Sequence, residues 1–397
     1  MQKKITIDQL RPGMYVVSTN RSWISLPFFR KNIPNQRTID KLRKAKVTDL
    51  VIDLNKGVDV EVAIGNTEPL PEPGSPAAVQ KQAEQAAQIQ TMVFQQTAEL
   101  MEEIRAGKVI TEEQADQQVG LLMDQIFEDP QSMLCVSVLR NSDEVVFDHC
   151  VNLSILALFV GKSMRLDEEA LLNLGKAALL HDIGKCMLPK EIINKKGRLT
   201  QSEQEHLRQH VDRGLAYLGK MKNVPAVIRD FVGQHHEFLD GSGYPGGLRG
   251  PQISDYGKLA CVLNAYDEKI HRDSDGAAVD PRGALEEMQE QAGRLYDPEA
   301  LKLLVDCLGP YPPGTILMLD SGEMAVAYEP NPNQPEAPKV LILTHLDGTF
   351  RDQPLPAQIG QAAGEENLVR EIVTPMTLED TNFNPLDILA KYGPQSA

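Results

Sequence analysis

The sequence is poor in aromatic residues and in positive charge, and each shortage argues against a class of partner. Aromatic side chains make up 5% of the 397 residues, with a single tryptophan. Lysine and arginine number 40 against 56 acidic residues, so the formal net charge is −16. An acidic surface repels phosphate backbones, and we expect no nucleic acid polymer as a partner. A small anionic ligand would need positive charge supplied locally, most compactly by a metal ion.

Long apolar runs and paired cysteines are also missing. The longest apolar run lies near Ile155–Val160 and is far too short to span a bilayer. The first residues contain no apolar segment typical of a secretory signal. The short apolar runs predict no membrane span. The scattered cysteines form no CxxC pair and, without a secretory signal, predict reduced thiols and a cytoplasmic location. The five cysteines are Cys135, Cys150, Cys186, Cys261 and Cys307.

Composition divides the chain into four predicted regions. Residues 1–65 alternate apolar runs with turns and predict a small N-terminal α+β module. Residues 66–130 combine a proline-rich linker with two helices. Residues 131–310 show helical periodicity almost throughout, and 311–397 predict a small antiparallel β appendage with a tail, loosely attached from 370 onward. The predicted fold class is therefore mainly α.

Local signals place individual elements within these regions. Asp167 is a predicted helix N-cap, and Gly184 stands near the end of the helix that follows it. Residues 79–105 should form one long helix. Further helices are predicted over 201–220, 224–236, 253–271, 281–292 and 298–308, and strands over KITIDQL, MYVVST, VTDLVIDL, GTILMLD, MAVAYEP and KVLILTH.

Five of the histidines in the helical region lie at or near helix ends or on apolar helices. Each one alone would usually be structural, but several imidazoles facing one core are costly to bury without a common partner. Asp182 follows His181 at the end of an apolar helix, and a carboxylate can bridge two metals where an imidazole cannot. We therefore predict a two-metal site with ions about 3.5–4 Å apart. The residues favour His149, His181, Asp182, His210, His235 and His236 as ligands.

Two motifs in this set resemble those of a known family. HDIGK at 181–185 and HHEFLDGSGYP at 235–245 resemble the HD-GYP family of helical metal-dependent phosphohydrolases, which degrade cyclic di-GMP. The resemblance covers residues 135–310. His149 resembles the first ligand of the family, and His210 resembles its HP-x-x-G histidine, although Val211 replaces the proline. The N-terminal residues with RPGMYV resemble an accessory module found ahead of some members.

The resemblance implies a hydrolysis of cyclic di-GMP, via pGpG, to GMP. It implies two divalent transition-metal ions, iron or manganese with zinc or nickel as alternatives, which activate a water and neutralise the phosphodiester. Asp182 and Lys185 are the predicted catalytic residues, Lys185 as a phosphate contact or else as a solvated helix-end lysine. Asp240 is expected to orient a ligand histidine. The predicted substrate-binding residues are Lys185, Gly243, Tyr244, Pro245, Asp267 and Arg272.

The chain departs from the family where an aspartate ligand is expected after the GYP loop. Asn264 occupies that position and is kept as a predicted metal ligand. Its amide oxygen carries no charge, so the first metal should bind more weakly. Asp267 lies one turn later and would compensate only through a shift of the helix.

Two further departures affect substrate and metal number. The family's R-P-Y segment is replaced by HRDSDG, in which Arg272 stands one position away. The glutamate that holds a third metal in some members corresponds to Val145, and Glu144 is one residue off. We therefore predict two metals rather than three.

These departures leave alternatives open. A degenerate member would bind a nucleotide or a partner protein without efficient turnover. A third reading is a related phosphohydrolase that acts on another nucleotide or on a linear dinucleotide. A homodimer is open as well, because the helix over 79–105 could serve as a dimer contact or as a solvated face.

Overall fold

The structure is a computed structural model in which two compact units, Met1–Glu72 and Pro73–Ala397, are distinguished. Each unit is described by itself. The described residues are 2–11, 14–19, 39, 43, 47–53, 76–130, 133–134, 137, 145–193, 195, 197–271, 279–331, 333–364 and 367–376.

The first unit contains a three-stranded antiparallel sheet at the positions where strands are predicted. Its strands are β1 (Gln2–Thr6), β2 (Val16–Thr19) and β3 (Asp49–Asp53), with β3 in the centre. Ile5, Leu50 and other apolar residues bury one common core. The helix predicted over NQRTIDKLRKAKV lies outside the described residues, apart from the helical positions 39 and 43.

Helices dominate the first part of the second unit. Among the described residues, no helix is both long and apolar enough to cross a bilayer. Their bounds are α1 Pro76–Arg105, α2 Glu112–Glu128, α3 Val145–Ser163, α4 Glu168–Leu180, α5 Lys190–Ile193, α6 Gln201–Arg208, α7 His210–Leu218, α8 Ala226–Gln234, α9 Asp255–Ile270, α10 Pro281–Glu290 and α11 Pro298–Leu308.

The prediction of one helix over 201–220 is wrong, because the helix is interrupted at Gln209. The Gln209 amide donates to the carbonyls of His206 and Leu207 instead of to the carbonyl four residues back. This tighter turn ends α6 and starts α7 at His210. His210 therefore lies at a helix junction, where its backbone can be oriented independently of α6.

Helix α4 is the central element of the helical core. Leu174 and Ala177 pack in one apolar cluster, while Leu171 and Leu179 pack in a second cluster on another side. A helix that is apolar on several sides is buried by its neighbours. The side chain of Asp167 accepts a hydrogen bond from the Ala170 amide, which confirms the predicted N-cap.

A five-stranded antiparallel sheet follows the helices, in the order β10-β4-β5-β6-β7. Its strands are β4 Ile316–Leu319, β5 Met324–Glu329, β6 Lys339–Thr344, β7 Phe350–Gln358 and β10 Ile372–Met376. The prediction of a loosely attached segment from 370 is wrong for β10, which pairs with β4. Its sequence, IVTPM, is short and contains a proline. Proline is tolerated in an edge strand, but it makes a strand harder to predict from the sequence. A separate two-stranded sheet is formed by β8 Ala362–Ala363 and β9 Leu368–Val369.

Gly184 lies in a 3-10 turn, Ile183–Met187, that packs directly on the start of α7. A Cβ at Gly184 would lie 1.8 Å from the carbonyl oxygen of His210, so the two backbones could not keep their approach. We expect Gly184→Ala to lower the free energy of unfolding by ~1–3 kcal/mol, measured by denaturant titration.

Gly219→Ala is the matched control, because Gly219 is exposed and its added Cβ would meet only ordinary contacts at 3.5 Å. Equal stability of the two variants would contradict the close approach at Gly184.

Candidate metal centre

Six of the predicted ligand side chains converge between α3, α4, α7 and α8. They form two groups, in each of which the candidate ligand atoms lie within 4.8 Å of one another. The first group is His149, His181 and Asp182, and the second is His210, His235 and His236.

The carboxylate of Asp182 lies between the two groups, and each of its oxygens faces a different one. Oδ2 is 3.2 Å from Nε2 of His181 and 4.0 Å from Nε2 of His149. Oδ1 is 3.2 Å from Nε2 of His210 and 3.8 Å from Nε2 of His235. This arrangement is the one that a carboxylate bridging two cations requires.

Three of the histidines are held in one orientation by helix ends. Nδ1 of His181 donates to the Ala178 carbonyl at 2.7 Å, three residues back. Carbonyls in the last turn of a helix have no amide partner four residues ahead, so each has a lone pair that can accept from a side chain. Because a carbonyl only accepts, Nδ1 must carry a proton, and in the neutral ring Nε2 is then a bare lone pair that faces Asp182. His210 and His235 repeat the contact, with the Leu207 carbonyl at 2.7 Å and the Val232 carbonyl at 2.9 Å.

His149 lies inside α3 and is oriented in a different way. Its Nδ1 is 2.7 Å from Oδ2 of Asp267, which projects from α9. The carboxylate requires the proton on Nδ1, so Nε2 of His149 is also unprotonated when the ring is neutral. Oδ1 of Asn264 lies 2.9 Å from that Nε2 and belongs to the same cluster.

The donor set fits a pair of cations. Nε2 of His149 and Nε2 of His181 are 3.1 Å apart, as are Nε2 of His210 and Nε2 of His235. Two unprotonated nitrogens at this distance repel each other unless a cation lies between them. Oδ1 of Asp182 is buried and has no hydrogen-bond donor among the described residues. Nitrogen and carboxylate ligands without thiolate suit divalent transition metals.

The electrostatics of the site keep the second histidine group neutral beside one ionised acid. Burial lowers the pKa of His210 to about 4 and holds those of His235 and His236 well below the ordinary value. Burial opposes ionisation of Asp182, yet His181 and Lys185 hold its pKa well below the usual range. Neutral imidazoles and an ionised carboxylate are the protonation states that metal binding needs.

Lys185 points inward rather than into solvent. Its Nζ is 2.5 Å from Oδ2 of Asp182, and its side chain is 18% exposed. Burial works against the ammonium, but the carboxylate of Asp182 outweighs it and raises the pKa of Lys185. The ammonium therefore supplies positive charge directly beside the candidate metal pair.

The GYP loop closes one side of the site. Glu237 is 1% exposed and accepts from the amides of Gly246 at 2.6 Å and Leu248 at 2.9 Å. A Cβ at Gly243 would lie 2.4 Å from the His236 carbonyl oxygen, so only glycine permits this approach. The ring of Tyr244 stacks on His236, with centroids 4.5 Å apart and an interplanar angle of 22°.

Two of the predicted site residues have other contacts than expected, and a third lies outside the described residues. Asp240 does not orient a histidine, because it accepts from Ser242 and lies 3.5 Å from Arg294. Asp267, predicted to contact substrate, is 1% exposed and lies between His149 and His271, so it supports a ligand instead. Arg272 lies outside the described residues.

Sequence reasoning missed two residues that shape the site. Glu237 stands in HHEFLDGSGYP with no role predicted for it, although an acid next to glycine-rich backbone can accept hydrogen bonds from several amides. No role is predicted for Arg208 either, and its guanidinium carbon lies 5.0 Å from the Tyr244 ring centroid. Only a position two residues before His210 could have drawn attention to it.

Known proteins and family models match the chain over the regions that carry these motifs. A family model described as HD domain matches residues 133–300, and a model described as a domain of unknown function (DUF3391) matches residues 2–115. The cyclic di-GMP phosphodiesterase PA4108 of Pseudomonas aeruginosa is 29% identical over 402 residues, which cover 98% of this chain and 95% of that protein.

Two further proteins match parts of the chain. The 3'3'-cGAMP-specific phosphodiesterase 2 of Vibrio cholerae is 31% identical over 33% of this chain and 25% of its own length. A solved structure of an HDG"Y"P protein from Bdellovibrio bacteriovorus has a TM-score of 0.47 at 19% identity, and covers 77% of this chain and 99% of that one. The HD domain match over residues 133–300 covers the helices that carry the paired motifs, and the full-length relative agrees with that match.

Proposed function

We propose that this protein is a cyclic di-GMP phosphodiesterase with a two-metal centre. The observation that carries the proposal is the carboxylate of Asp182, whose two oxygens face two separate groups of imidazole nitrogens. Two cations about 3.5–4 Å apart are the centre that serves phosphodiester hydrolysis in many enzymes. The full-length similarity to a Pseudomonas phosphodiesterase supports the substrate.

The ligand residues divide between the two ions. His149, His181 and Asn264 would hold the first ion, and His210, His235 and His236 the second, with Asp182 shared. When bound, the ions neutralise the phosphodiester and activate a water as nucleophile. Iron or manganese fits the nitrogen and oxygen ligands, as do zinc and nickel.

Other residues position the substrate. Lys185 would place its ammonium on an oxygen of the scissile phosphate as that phosphate approaches Asp182. The phenol of Tyr244 stays protonated, because burial raises its pKa, and it can donate a hydrogen bond at the wall of the site. Successive cleavage of both phosphodiesters would lead through pGpG to GMP.

Asn264 supports a second candidate, a protein that binds the nucleotide without efficient turnover. The amide contributes no charge at a buried position, 2% exposed, beside His149. The neutral ligand weakens the first ion without removing the carboxylate that both ions share. Loss of turnover with retained binding would favour this candidate.

We expect the protein, loaded with iron or manganese, to convert cyclic di-GMP to pGpG and then to GMP. Chromatography of timed samples measures the products, with metal-free protein as the control. A panel with 3'3'-cGAMP and pGpG tests the preference among related substrates. No product above the metal-free control would rule out the proposed activity.

Asp182→Ala should remove both ions, because it deletes the only carboxylate that faces both histidine groups among the described residues. Elemental analysis of anaerobically purified protein measures the metal content per chain. Asp255→Ala is the matched control, since the side chain of Asp255 is 99% exposed. Two ions per chain in Asp182→Ala would disprove the shared-ligand geometry.

Asn264→Asp should tighten the first ion by at least about tenfold, because it adds a negative charge beside Nε2 of His149. Competition with a metal chelator measures the two dissociation constants. The second ion should be affected far less. Unchanged affinity for both ions would mean that Asn264 is not a ligand.

A further inference from the structure

Arg208 is an exposed cation at the edge of the candidate site, and its position is set by the GYP loop. It is the last residue of α6, two positions before His210. Its guanidinium lies over the ring of Tyr244, at 5.0 Å from the centroid. The stacked imidazole of His236 covers one face of that phenol, which leaves the other face for Arg208.

The hydrogen-bonding groups of Arg208 are available to a ligand. The guanidinium carries five N–H donors in one plane. In the part of the chain that the structure describes, no carboxylate is paired with Arg208. Arg213, on the next helix, differs because it donates to the Met187 carbonyl and to Gln209. Arg213 thus has a structural role that Arg208 lacks.

Positive charge at this edge is needed for an anionic ligand. The chain as a whole carries −16. The ammonium of Lys185 lies beside Asp182 at the centre, where the scissile phosphate would bind. An outer cation would offset the repulsion that a second phosphate meets here.

We propose that Arg208 binds the phosphate of a cyclic dinucleotide that is not being cleaved. The inference rests on the proposed function. A cyclic dinucleotide carries two phosphodiesters on opposite sides of one ring, so seating one beside Asp182 and Lys185 directs the other outward. The guanidinium over the Tyr244 ring lies at the wall that the GYP loop forms, and it can bind phosphate through two parallel N–H groups.

The first test is equilibrium binding of a phosphorothioate analogue of cyclic di-GMP that resists hydrolysis, measured by calorimetry on metal-loaded protein. Arg208→Gln should raise the dissociation constant about 10- to 100-fold, the loss typical of a charged hydrogen bond. Arg208→Lys should lose less, because it keeps the charge without the paired N–H groups. Lys220→Gln removes an exposed charge at the other end of α7, two residues past Leu218, and should bind normally.

The second test separates recognition from a structural role. Bis(p-nitrophenyl) phosphate has only one phosphate, so its kcat/KM should fall at least tenfold less in Arg208→Gln than that of cyclic di-GMP. Equal losses on both substrates, or normal binding of the analogue, would overturn the assignment. If the unaltered protein binds the analogue but hydrolyses nothing, the proposed activity fails while the binding comparison still decides the role of Arg208.

Discussion

The site depends on one buried carboxylate shared between two sets of imidazoles. Asp182 is 2% exposed, and it remains ionised because His181 and Lys185 outweigh the effect of burial on its pKa. An isolated buried charge of this kind would be strongly destabilising. The unprotonated nitrogens of His210, His235 and His236 do not offset that charge, since a lone pair repels a carboxylate. Cations between them would satisfy all of these groups together.

Helix ends explain how the imidazoles reach that carboxylate with the correct nitrogen. His181, His210 and His235 each follow a carbonyl in the last turn of a helix that has a lone pair to spare, and each uses it to fix the proton on Nδ1. His149 lies within α3, where carbonyls are already used by the helix. It needs an acid from another helix, and Asp267 supplies that acid. The aspartate one turn after Asn264 therefore orients a ligand.

The ligand set was predictable from sequence because it depends on residue types and motif spacing. The HD pair, the HH pair and His210 carry coordination chemistry in their side chains, and the apolar helices around them indicate burial. Asp240 and Asp267 show the limit, because which acid supports which histidine depends on packing between distant helices. The contact between Arg208 and Tyr244 could not be predicted, because it depends on where the GYP loop lies in space. The edge strand β10 was hidden by its proline and its short apolar pattern.

Asn264 also changes the balance of charge at the centre. An aspartate there would neutralise part of the first cation, whereas an amide leaves that charge available to the substrate. The first ion should therefore bind more weakly but attract a phosphodiester more strongly. Lys185 adds charge on the inner side and Arg208 on the outer side, while the imidazoles of the second group stay neutral. In a chain of net charge −16, these two cations place positive charge where an anionic dinucleotide would bind.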